Sequence, residues 1–367
     1  MIKFLDFKRK YKRYSKEINS VVLAVFKRGW FIGGPERERF EQKFSAFCGA
    51  KYAISVNSGT DAIAIALKAL KIVPGDEVIT VSHTATPTVS AIRMVGATPV
   101  FVDVNDSMVM NPDLLKNKIT KKTKAILPVH IYGYPADMKK IMKIAKDHNL
   151  FVVEDACQAH GARYGGRVVG SIGDIGCFSF YPTKNLGAFG DAGMMITNNK
   201  GIAERARMIR SYGEISRYES KIEGWNSRMD EIQAAVLSWG LEKLSSWNKR
   251  RTKIAGLYLK NLKNLPLILP APSENNSERV WHLFVIRSDK RSELARFLSE
   301  HGIETAIHYP KPVFKQEAYK FLGYSDNDLP VTSRIYNEIL SLPLYPELKD
   351  SEVLRICKAI KDFYHKT

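Results

Sequence analysis

Three features of the sequence have residue types and spacings that could do chemistry. The first is Ser58-Gly59-Thr60-Asp61, which runs into Ala62-Ile63-Ala64-Ile65-Ala66-Leu67. Ser58 with Asp61 three residues on predicts a capped helix start. The small residues Gly59 and Thr60 at that start leave backbone N–H groups free to hold a phosphate. The second is Phe151-Val152-Val153-Glu154-Asp155, a β-rich run that ends in two acids. Open α/β sheets bind ligands at the carboxyl ends of strands, and a carboxylate there can hold a cationic ring nitrogen in its charged form. Asp155 is assigned that role, and Glu154 an ordinary strand-end role. The third runs from Cys177 through Ser179, Tyr181 and Pro182 to Lys184 and Gly187. A lysine two residues past a strand end, among small and apolar neighbours, has a lowered pKa and becomes a nucleophile toward carbonyls. Gly187, Gly190 and Gly193 are read as sites of tight packing and special backbone dihedrals.

The elements that must position these residues follow from hydrophobic pattern. Strands are predicted over Val78–Val81, Pro99–Val102, Ala125–His130, Phe151–Glu154, Cys177–Phe180 and Met194–Thr197, with helical stretches such as Asp137–His148 between them. This alternation predicts an α/β domain with a mostly parallel central sheet covered on both faces. From about Leu237 the texture changes. A long basic helix (Leu237–Leu262) leads into the Pro-rich segment Pro266–Pro272, then a strand (Trp281–Arg287) and helices at Ser292–His301 and Ser351–Tyr364. The division expected is a large domain over 1–240 and a smaller C-terminal α+β domain over 241–367. A phosphate-holding helix start, a strand-end carboxylate and a pocketed lysine on one α/β domain are what pyridoxal 5′-phosphate requires. Its phosphate needs N–H donors, its pyridinium nitrogen an anion, and its aldehyde an amine.

Composition narrows the alternatives. The 367 residues carry a net charge of +18, with 45% hydrophobic and 26% charged residues, an ordinary globular mixture. Basic clusters at Lys8–Arg13 and Lys249–Lys253 raise nucleic-acid binding, but no helix-turn-helix, zinc-finger or aromatic RNA-binding motif accompanies them. Solvated helix faces that favour anionic small molecules are the preferred reading. The four cysteines form no C-x-x-C pair and the eight histidines no H-x-x-x-H pair, so no metal is expected. Glycines from Gly161 to Gly173 lack dinucleotide-fingerprint spacing. Met1–Tyr14 has no signal-peptide run and Val21–Phe26 is too short to span a bilayer, so a soluble cytoplasmic protein is expected.

At the level of whole stretches the chain resembles the DegT/DnrJ/EryC1/StrS nucleotide-sugar aminotransferases, which have the aspartate aminotransferase-like fold (fold type I). The resemblance runs through GGPERERFEQKF, SVNSGTDAIAIAL, GATPVFVDV, VEDACQAHGA, GDIGCFSFYPTKNLGAFGDAGMMITN, WNSRMDEIQAA and GIETAIHYPKP. It implies that Lys184 is the Schiff-base lysine and Asp155 the pyridinium partner, with Gln158 against the coenzyme ring. Gly59, Thr60 and Ser179 would bind the phosphate, joined by Asn226 of a neighbouring subunit, hence a homodimer with shared sites. It also implies L-glutamate as amino donor and a nucleotide diphosphate keto sugar as acceptor. Two positions depart from the family pattern: Ala85 stands where many members have a stacking aromatic, leaving His83 as a substitute, and Phe314 stands where His is common. Sugar dehydratases of the same family carry His where Lys184 stands, which argues against that activity. Intact Asp155, Gln158, Ser179 and Lys184 argue against a non-enzymatic regulatory protein. The stretches HTATPTVSAI and TAIHYPKP resemble the branch that aminates carbon 3. The expected acceptor is therefore a thymidine-diphosphate 3-keto-6-deoxyhexose, ahead of a 4-keto sugar and a uridine-linked 3-keto sugar. Tyr181, Arg217, His308 and Tyr309 are the expected sugar contacts.

Overall fold

The computed structural model describes residues 1–273 and 276–366. Seven short runs rich in β-branched and apolar residues form one sheet. They are β1 (Tyr52–Val56), β2 (Glu77–Val81), β3 (Thr98–Val102), β4 (Thr123–Ile126), β5 (Phe151–Asp155), β6 (Ile175–Ser179) and β7 (Gly193–Thr197). Their order is β1-β7-β6-β5-β4-β2-β3, and only β7 runs antiparallel to its neighbours. Strands such as Ala53–Val56 and Val78–Val81 are buried on both faces, as a helix-covered parallel sheet demands.

The helix that follows β1, Gly59–Ala69, packs against β6, β7 and helices Thr86–Met94 and Lys200–Ile209. Its apolar circumference explains that burial: Ile63 and Ile65 are almost wholly enclosed, each contributing about 1.5–3 kcal/mol. Ser58 caps it, accepting from the Asp61 N–H at 3.1 Å as the spacing predicts.

Some expected boundaries shift for identifiable reasons. The strand expected over Ala125–His130 ends at Ile126, because Pro128 has no N–H for the ladder. Isolated bonds continue beyond it, Leu127 to Ile79 and His130 to Asp155. The strand expected from Trp281 starts at Phe284, since Trp281 has φ +50° and breaks the extended run. The long helix begins at Glu231, six residues before the expected Leu237. Its first half packs with the core beneath β6 and β7, and its second half (Ile254, Tyr258, Leu262) with a separate cluster. That cluster gathers around the antiparallel pair Phe284–Arg287 and Ile339–Leu342 and the helices Arg291–Glu300 and Asp350–Lys366.

Glu154, one residue before the strand-end Asp155, is more than a cap. It is fully buried and accepts from His130 Nε2 (3.0 Å) and from the N–H groups of Gly170, Ile172 and Gly173 (2.6–2.7 Å). Burial pushes its pKa up, but His130 and these amides outweigh that and hold it below the usual carboxylate range. The glycines near Lys184 have no left-handed dihedrals, contrary to expectation, and act through close approach. A Cβ at Gly193 would lie 2.1 Å from the Ser58 carbonyl oxygen, so β7 can pass the helix start only as glycine.

Candidate active site

The carboxyl ends of β5 and β6 and the start of the helix after β1 open into one cleft. Gly59, Thr60, Asp155, Gln158, Ser179, Tyr181 and Lys184 all line it, so local signals spread over more than a hundred residues converge there. At one end the first helical N–H groups, those of Gly59 and Thr60, have no intrahelical partner and face the same space as the Ser179 hydroxyl. A Cβ at Gly59 would stand 2.5 Å from Ser179 Cβ and 3.1 Å from Cys157 Sγ, so the cradle admits only glycine. The turn is braced from behind, where Ser227 Oγ donates to Asp61 (2.6 Å) and accepts from the Asn57 N–H (3.1 Å).

Asp155 is held by Thr88 Oγ1, which donates to it at 2.7 Å, and by the Cys157 N–H at 3.1 Å. Lys184 is half-buried, and burial pushes its pKa down, while Cys157 and Asp155 oppose the shift. Gln158 is oriented at both ends: its carbonyl accepts from the Tyr132 N–H (2.7 Å) and its amide donates to Tyr309 Oη (3.0 Å). Helix-end donors, a fixed carboxylate and a pocketed amine match the phosphate, ring nitrogen and aldehyde of pyridoxal phosphate.

A second cavity shares Lys184 and Tyr181 with the first and adds His308, Tyr309, His282 and Arg251. His308 Nδ1 bonds Ser341 Oγ at 2.9 Å and its ring stacks on Phe4, which leaves Nε2 available. Its pKa is pushed down to about 4, by burial first and by Lys184 second. Tyr309 is pushed up to about 12 by burial, so it keeps its proton.

Other expected residues lie elsewhere. Asn226 is exposed, in a lone bridge with Ser211. Arg217 is exposed on the hairpin Glu214–Ser220, against the Tyr218 ring at 4.9 Å, and neither residue lines either of these two cavities. His83 does not replace the missing aromatic. It is buried, and because the Tyr132 hydroxyl donates to the His308 carbonyl, His83 Nε2 donates to Tyr132 Oη (2.9 Å). Ala85 lines the cleft wall. Phe314 packs with Val89, Phe101 and Leu329, and lines neither cavity. Thr88, Tyr132, His282 and Arg251 were not legible as site residues, because each reaches the site through a partner far along the chain.

Three of the buried imidazoles make a prediction. Burial lowers His83 to about 4, His160 to about 3, and His282 well below its ordinary value. The unfolded chain therefore binds more protons than the folded one below about pH 6.5. Stability is full above that value and is lost as pH falls toward 4, at up to about 1.4 kcal/mol per pH unit for each imidazole. Urea unfolding at pH 7.5 and 5.0 checks this; equal free energies would mean that these rings are not buried in solution.

A mostly parallel α/β sheet whose strand ends carry this set of groups defines a pyridoxal phosphate enzyme of the aspartate aminotransferase type. Residues 12–361 match the DegT/DnrJ/EryC1/StrS aminotransferase family, and the chain belongs to it. It is 43% identical over 363 residues (99% of this chain, 96% of the other) to the dTDP-3-amino-3,4,6-trideoxy-alpha-D-glucose transaminase of Streptomyces venezuelae. It is 45% identical over 365 residues (99% of each) to the dTDP-3-amino-3,6-dideoxy-alpha-D-galactopyranose transaminase of Aneurinibacillus thermoaerophilus. The crystal structure of S. venezuelae DesV in complex with a ketimine intermediate superposes with a TM-score of 0.97 at 43% identity, covering 100% of this chain and 99% of that one. Among the described residues no helix is long and apolar enough to cross a membrane.

Proposed function

We propose that this protein transfers the amino group of L-glutamate to a thymidine-diphosphate 3-keto-6-deoxyhexose. The observation that carries the reading is end-to-end similarity, at 43–45% identity, to two transaminases whose names specify dTDP-3-amino sugars. The cavity beside Lys184 agrees with a polyhydroxyl acceptor. Tyr309 Oη accepts from Gln158 and keeps its own proton to donate, while His308 is neutral at working pH with Nε2 free. Ala85 leaves room beside the coenzyme for the hexose.

Bound pyridoxal phosphate supplies an electron sink for the carbon that loses its proton. Asp155 holds the ring nitrogen protonated, and the Thr88 hydroxyl and Cys157 amide keep that carboxylate aimed. The Gly59 and Thr60 amides and the Ser179 hydroxyl would anchor the phosphate, aided by Asn226 of a second subunit in a homodimer, and Gln158 would serve the ring. Lys184, neutral in a larger fraction than a surface lysine, takes the proton from the donor's Cα and returns one at the end of the transfer. Arg217, exposed on its hairpin, would meet the diphosphate or sugar from a neighbouring subunit.

The test supplies the holoenzyme with L-glutamate and a panel of keto sugars: dTDP-linked 3-keto and 4-keto, and UDP-linked 3-keto. The new C–N bond is then located by NMR. Amination at carbon 3 of the dTDP sugar is expected, and an amine only at carbon 4 defeats the reading.

A further inference from the structure

Arg251 is unusual in this molecule. Only 3% of its surface is exposed, yet no carboxylate lies within ion-pair distance of it among the described residues. Its Nη1 donates to the carbonyls of Trp281 (3.3 Å), His282 (3.2 Å) and Leu344 (2.9 Å), tying the helix Glu231–Leu262 to the segments at 281–282 and 344. Those bonds explain Nη1 alone. Nε is buried without a partner. A guanidinium at this depth, opposed only by Glu347 beyond ion-pair distance, is costly, and the cost falls further when a second anion reaches it.

The place it faces is specific. Arg251 and Lys184 line the same large cavity, and both also line a small, tight adjoining pocket with Lys10, Asp6 and Glu347. Lys10 stands 5.0 Å from the Trp247 ring and 5.7 Å from the Phe189 ring. Asp6 is engaged with Arg9. The pocket thus presents Arg251 and Lys10 beside the reacting lysine, opposed by Glu347. Both half-reactions must pass Lys184, but their substrates place negative charge differently. An amino acid carries a carboxylate directly on the reacting carbon, whereas a sugar nucleotide keeps its charge on phosphates across the ring. A cation that shares both cavity walls with Lys184 fits the first pattern.

We propose that Arg251 receives a carboxylate of the amino-acid donor, and that Lys10 receives the second, making this the recognition site for a dicarboxylic amino acid. The assignment rests on the aminotransferase reading above and names the residues that select its donor. The bidentate fork of a guanidinium suits a carboxylate, and Lys10 adds a point charge that only a donor with a second carboxylate can use.

Calorimetric titration of the holoenzyme with glutarate, a non-reacting dicarboxylate, tests this with butyrate as the single-carboxylate control. Arg251→Lys is expected to weaken glutarate binding by about tenfold or more through loss of the bidentate pair. Lys10→Gln is expected to weaken it about threefold or more while leaving butyrate binding unchanged. The single-turnover rate of the amine-loaded enzyme with the keto sugar should change less than about twofold in Lys10→Gln, since that charge serves the donor alone. Wild-type glutarate affinity in a folded Arg251→Lys and in Lys10→Gln overturns the proposal. An equal loss in the sugar half-reaction of Lys10→Gln does so too, because it would make the residue a general support. If Arg251→Lys does not fold, Lys10→Gln decides by the same criteria. Failure of every keto sugar to react while glutarate binding still depends on Lys10 would instead sink the sugar assignment and leave the donor site standing.

Discussion

Replacing Lys184 by Ala is expected to lower turnover by at least about 10⁴-fold, because the proposed function gives one amine both the attachment of the coenzyme and the proton transfer. The loss should not come from unfolding. Lys184 Nζ makes no ion pair among the described residues, and its burial disfavours the charged form. Between the two apoenzymes, removing a half-buried amine that makes no ion pair relieves a desolvation cost, so the Ala variant should melt at or above the wild-type temperature. The two variant properties separate chemistry from stability. Borohydride treatment of the wild-type holoenzyme, followed by peptide mapping, should find the coenzyme on Lys184. A label on any other lysine refutes the assignment. Coenzyme retained non-covalently in Lys184→Ala would report the remaining hold of Asp155 and the Gly59–Thr60 cradle.

Mixing inactive variants gives the second large effect. Asn226 lines neither cavity of its own chain, and the proposed function gives it to the phosphate of the neighbouring subunit's site. Asn226→Ala is expected to weaken coenzyme retention by about 1–3 kcal/mol, the worth of a hydrogen bond to a charged group. At coenzyme levels too low to fill Asn226→Ala, it and Lys184→Ala should each be inactive alone. In a shared-site dimer, a hybrid carries one site with both defects and one with neither. Random exchange should then restore roughly a quarter of wild-type activity. No recovery after subunit exchange, or a fully active monomer in sedimentation, shows that each site is complete within one chain.

Much of the site was legible because its signals are local. The Ser58 cap needs only the spacing to Asp61. Asp155 and Ser179 lie at strand ends marked by runs of apolar residues, and Lys184 follows Pro182, which closes a strand. In each case the residue and its structural cue lie within a few positions, so backbone geometry alone decides the outcome. Even the length of β4 was foreseeable in principle, since Pro128 cannot donate to a ladder.

What the sequence determined by itself, then, is the set of groups that line the cleft and the α/β alternation that holds them. The tertiary structure decided which partners each group has. Thr88 reaches Asp155 across 67 residues, and Tyr309 reaches Gln158 across 151. His83, a candidate for the coenzyme face, turned into the core toward Tyr132. Arg251, one more basic residue in a basic helix, ended buried beside Lys184. These contacts depend on the strand order β1-β7-β6-β5-β4-β2-β3 and on how the long helix crosses between two cores. Periodicity reports which face of an element is apolar, but it does not report which distant element covers that face. The desolvation that lowers the pKa of Lys184 arises only when those covers close.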